Sequence, residues 1–164
     1  QGATGAVVNP VTRARRFIAA APAGFGRLEA YFRTPVFSVN GTAGFTSRVD
    51  TSALIVGSGF RIQRAAALEI NLQIETGDGV WTTVFSPGST VDTSAWYKVT
   101  LITNISALRY VRLDVNAASV DISANSLFTL GTASLLRHTV DIRVDDTLDN
   151  GNSLVVDNIL FRVQ

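Results

Sequence analysis

RIQRAAALEINLQIETGDGVWTTVF, residues 61–85, can be read two ways at its start and one way at its end. Ala65-Ala66-Ala67 favours helix by intrinsic propensity. On both sides of it, however, apolar and polar residues alternate at period two, as in a strand with one buried face. From Leu68 the alternation is strict. Leu68, Ile70, Leu72 and Ile74 share one face; Glu69, Asn71, Gln73 and Glu75 share the other. Gly77-Asp78-Gly79 then signals a tight turn into Val80–Phe85. The stretch predicts antiparallel strands, the first two joined through a turn of small residues.

Working outward, the same alternation recurs from residue 28 to the end. Leu28–Arg33 is stopped by Thr34-Pro35, and Asn40-Gly41 precedes Gly44–Val49. Gly57-Ser58-Gly59 reads as a break before Phe60–Gln63. Further runs follow at Trp96–Thr103, Tyr110–Val115, Ser119–Ile122, Thr139–Val144 and Leu154–Val163. Roughly ten to twelve short strands predict an all-β, two-sheet antiparallel β-sandwich of jelly-roll type. The sandwich is expected over residues 28–164. Residues 1–27, rich in Ala, Gly and Arg, are expected to form an N-terminal arm or an irregular first strand.

The composition narrows function. With 46% apolar and 16% charged residues the chain is globular, and no uninterrupted apolar run is long enough for a membrane helix. A net charge of +1 supplies no general field for nucleic acid. Without cysteine there is neither a disulfide framework nor a thiolate site. The single histidine, His138, cannot build a His-rich metal centre.

Asp92-Thr93-Ser94 followed by Trp96-Tyr97-Lys98-Val99-Thr100-Leu101, with Val111-Arg112-Leu113-Asp114-Val115-Asn116 beyond, resembles the paired strands "W-H-x-V-x-V … L-x-V-D/N-G" of laminin G-like domains. These belong to the concanavalin A-like lectin superfamily. Leu28–Thr34 is similar to that family's opening strand, and Ser153–Phe161 to its closing one. Tyr97 stands where the family has His, and Ala117 where it has the turn glycine. The resemblance implies a lectin-like sandwich and makes calcium at a loop rim an expectation. Tyr97, Val99 and Leu101 are expected in the core, with Trp96 closing its edge.

Two stretches offer candidate sites. Glu69, Asn71, Gln73 and Glu75 form a polar face suited to hydrogen-bonding sugar, or simply a solvated sheet face. Trp81 is the better candidate for an exposed platform, although sharing a face with Thr83 and Phe85 suits the core. Retaining glycosidases on lectin-like sandwiches place two carboxylates one side-chain row apart. Glu69 and Glu75 are about 20 Å apart at roughly 3.3 Å per residue, too far for either glycosidase mechanism. In the loop from Asp145 to Asn152, residues Asp145, Asp146, Asp149 and Asn152 supply oxygens that suit calcium, while Asn150-Gly151 equally signals a plain turn. Arg13–Arg16 is a short basic cluster.

The resulting expectation is a non-catalytic recognition module, secreted or on an extracellular surface, binding carbohydrate or a surface protein. The alternative is a structural jelly-roll subunit of a virion or surface filament, forming a homo-oligomer through residues 1–27. Neither an enzyme, a membrane insertion nor a nucleic-acid partner is expected.

Overall fold

The computed structural model describes residues 12–18, 24–36, 41–51, 53–66, 69–86, 95–132, 138–145 and 153–163. Among them run twelve strands: β1 Thr12–Ile18, β2 Phe25–Val36, β3 Thr42–Asp50, β4 Leu54–Ala66, β5 Glu69–Gly77, β6 Val80–Phe85, β7 Tyr97–Asn104, β8 Arg109–Val115, β9 Ala118–Asp121, β10 Phe128–Thr132, β11 His138–Asp145 and β12 Ser153–Val163. No helix occurs among the described residues, and so none is long and apolar enough to cross a membrane. The expected all-β fold holds, and the alanines at 65 and 66 lie in β4 rather than in a helix. Alternation on both flanks outweighs their propensity, because a helix would have turned Ile62 or Ile70 out of the core.

All pairings are antiparallel and form two sheets. The seven-stranded sheet runs β1-β11-β3-β4-β5-β6, with β10 also on β4; the five-stranded sheet runs β12-β2-β7-β8-β9. Between them lies a core in which Phe32 of one sheet meets Phe45 and Phe60 of the other, with Tyr97 stacked on Phe32 at 5.9 Å between ring centroids. Val99 and Leu101 are buried as expected. β1 pairs with β11 along its whole length, within the segment expected as an arm or irregular strand.

Two expectations are corrected. Gly57-Ser58-Gly59 is no break: β4 runs straight through it, pairing with β3 from Ile55 to Gln63. Its glycines are there for room. A Cβ at Gly57 would come within 2.5 Å of Cε2 of Phe128, and one at Gly59 within 3.0 Å of Oε2 of Glu75. Trp96 does not close the core. It is 45% exposed on the outer face of the five-stranded sheet, on the side of the strand that carries Lys98.

Candidate functional site

The cross-strand register places the polar side of β5 on the outer face of the seven-stranded sheet. Arg61 stands opposite Gln73 and Gln63 opposite Asn71 on β4, while Thr83 and Trp81 stand opposite Gln73 and Glu75 on β6. A bulge between Leu72 and Gln73 sets Phe85 opposite Leu72, so Phe85 packs on the core while Trp81 and Thr83 stay outside. The three aromatic-strand residues that alternation alone puts on one face are thereby separated.

This face has two layers. The inner layer is saturated with hydrogen bonds. Gln73, 7% exposed, donates from Nε2 to Oε1 of Gln63 at 2.8 Å and to Oγ1 of Thr83 at 3.1 Å, and its Oε1 accepts from Nε of Arg61 at 2.6 Å. Both its N–H groups and its carbonyl are therefore engaged. Glu75, 1% exposed, accepts two bonds from Arg48, at 2.8 and 2.9 Å, and one from the N–H of Gly79 at 3.1 Å. The guanidinium of Arg48 also lies 4.9 Å from the Phe128 ring centroid, so a carboxylate and an aromatic ring hold it together.

Beneath Glu75, Tyr110 crosses the core from β8. Its hydroxyl accepts the N–H of Gly59 and donates to the C=O of Glu75. Registered β4–β5 pairing begins at Phe60–Ile74, and β10 pairs with β4 only up to Gly57. The phenol thus bridges the seam that the two partners of β4 leave between them. Burial pushes the Tyr110 hydroxyl well above the ordinary tyrosine range.

The outer layer is what a ligand meets. Trp81 is half-buried with the Arg61 guanidinium 4.5 Å from its ring centroid. Gln63 and Asn71 are half-buried and Thr83 is exposed; Asn71 accepts from the Ser86 hydroxyl at 2.6 Å. Of the expected ligand-binding residues, Asn71 and Trp81 are in this layer, while Gln73 and Glu75 lie under it. Glu69 opens β5 opposite Ala66, and its side chain lies outside the described ones. Asp145 ends β11; its side chain, with Asp146, Asp149 and Asn152, lies outside the described part of the molecule. Among the described residues no group of three or more His, Asp or Glu gathers as a metal centre.

The sequence reading missed Arg48, Arg61 and Phe128. Arg61 had a legible signal, since it lies on the polar side of a strand paired with β5. Arg48 and Phe128 had none, because only the β3–β4–β5 and β10–β4 registers bring them to Glu75.

No family model matches the chain. No curated protein matches it either. Solved structures do align with it. A β-glucanase of Bacillus licheniformis is 10% identical with a TM-score of 0.49, over 87% of this chain and 68% of its own. An alginate lyase A1-II′ is 10% identical with a TM-score of 0.48, over 90% of this chain. The chain spans 65% of that lyase's length. At this identity the likeness is one of fold alone. Both are enzymes on carbohydrate by name, and with that the expectations of a non-catalytic module, of a purely structural subunit and of no enzyme are corrected. The spacing of Glu69 and Glu75 excludes only a two-carboxylate glycosidase on β5 and no other carbohydrate chemistry.

Proposed function

We propose that the protein is carbohydrate-active and seats a polysaccharide along the outer face of the seven-stranded sheet. In this reading Trp81 offers the stacking surface, and Arg61, Gln63, Asn71 and Thr83 bond the sugar hydroxyls. The observation that carries it is the saturated inner layer: Gln73 spends its hydrogen bonds on fixing Arg61, Gln63 and Thr83, and Glu75 its own on Arg48 and the Gly79 N–H, so the ligand meets an already ordered polar surface. Arg61, anchored through Nε to Gln73, brings a cation to this face and favours a uronate over a neutral sugar.

The test uses affinity electrophoresis and calorimetry with alginate and with a neutral β-glucan. Turnover is followed as absorbance of unsaturated uronate and, in parallel, as new reducing ends. Binding of alginate that Trp81→Ala weakens at least about tenfold, with an unchanged melting temperature, supports the reading. Retention of neither polymer, or binding indifferent to Trp81→Ala, overturns it.

A further inference from the structure

We infer that the outer face of the five-stranded sheet carries a second, separate carbohydrate site, built for a neutral sugar. Its centre is a depression of about 210 Å³ lined by Arg27, Lys98, Thr100, Asp114, Asn116 and Ser119, with Ala117 and Ala118 at its lip. At about 30 Å³ per water that is room for some seven waters, the scale of one pyranose ring.

The chemistry of the lining favours a polyol over an ion. Arg27 and Lys98 both bond Glu29, at 2.8 and 3.4 Å. Burial pushes the Glu29 carboxyl up, but the Arg27 hydrogen bond and the Lys98 charge outweigh that and hold it below its ordinary value, so it stays ionised between them. Asp114 pairs with Arg112 at 2.9 Å and accepts the Ser119 hydroxyl at 2.7 Å. Each charge at the rim touches an opposite one, Arg27 and Lys98 sharing Glu29 and Asp114 facing Arg112, so a free ion would have to compete with one of these contacts. A sugar would not, because its vicinal hydroxyls both donate to carboxylate and accept from ammonium or guanidinium.

The aromatic element stands one side-chain row away. Trp96 lies two residues before Lys98 on the same side of the chain, 45% exposed, with the Arg33 guanidinium 5.4 Å from its ring centroid. Tyr31, opposite Lys98, has the ammonium 5.2 Å from its own centroid. The lip is fixed. Asn116, at φ 52°, donates its N–H to the C=O of Lys98 and accepts the N–H of Lys98 on its side-chain oxygen, both at 2.8 Å. A rigid polar hollow beside an exposed tryptophan is the combination a sugar needs: hydroxyl partners for its edge and an apolar surface for its ring.

The experiment uses the intact chain, labelled with ¹⁵N and titrated separately with glucose, galactose, mannose and N-acetylglucosamine. One of these should shift amides at residues 98–100 and 114–119 together with the Trp96 indole. Ser119→Tyr, at an exposed position opposite Asp114, should fill the hollow and abolish those shifts. Trp96→Ala should weaken binding about tenfold, equivalent to roughly 1.4 kcal/mol. Trp81→Ala should leave both unchanged, which separates this site from the one on the other sheet. No response from these residues with any of the four sugars, or a response that survives both Ser119→Tyr and Trp96→Ala, overturns the inference and leaves the first site untouched.

Discussion

A single phenol hydroxyl occupies the seam of the seven-stranded sheet where β4 passes from β10 to β5. Tyr110→Phe keeps the ring and removes the group that joins the Gly59 N–H to the Glu75 C=O, leaving two buried backbone groups unpaired. It should cost about 1–3 kcal/mol in urea unfolding. The same hydroxyl titrates above its unfolded value of 10.0. A raised folded pKa contributes stability that is complete below pH 10 and lost progressively as pH climbs beyond it. The alkaline limb of wild-type stability should therefore be steeper than that of Tyr110→Phe; equal slopes would show that Tyr110 does not govern it. Glu75 makes a second test at this scale. Glu75→Ala removes two charged hydrogen bonds from Arg48 and leaves it the exposed Asp78 carboxylate at 3.3 Å and the C=O groups of Ser47 and Ser58, which should cost about 1.5–3 kcal/mol. Replacing both, as in Arg48→Met with Glu75→Leu, should recover most of that loss in thermal unfolding.

Among the elements, β4 has the most unusual part. It holds β3 along one edge and divides its other edge between β5 and β10, and its glycines let Phe128 and Glu75 lie on it. Gly57→Ala should accordingly destabilise by overpacking, about 1–3 kcal/mol. The penalty should shrink in a Phe128→Ala background, where the ring that meets the new methyl is gone. Additive losses in this double-mutant cycle would mean that Gly57 serves some other purpose.

For the whole molecule, the pairing of β12 with β2 decides how it folds. Residues 153–163 must find residues 25–36 before the five-stranded sheet is complete. Contacts this distant in sequence slow folding through loop closure, so refolding should take milliseconds to seconds rather than microseconds. Stopped-flow tryptophan fluorescence checks this, and a transition complete within the mixing time would contradict it.

Period-two alternation by itself determined the all-β class, the antiparallel pairing of β4 with β5 and the core positions Tyr97, Val99 and Leu101, and Gly77-Asp78-Gly79 marked the turn into β6. It did so because burial of one strand face is written locally, in every second residue. The fate of Gly57-Ser58-Gly59 was decided only by the tertiary structure, since glycine marks a turn or a close approach with equal composition. The same holds for Trp81 and Phe85, which a bulge in the β5–β6 register separates. For Trp96 large apolar area argues for burial and strand parity for the side of Lys98, and the folded sheet follows parity. The polar side of β5 was legible as a face, but its division into a buried scaffold and an outer contact layer was not. Arg48, Arg61, Phe128 and Tyr110 come to Gln73 and Glu75 from four other strands, and pairing between strands is a property of the assembled sheet that no local pattern encodes.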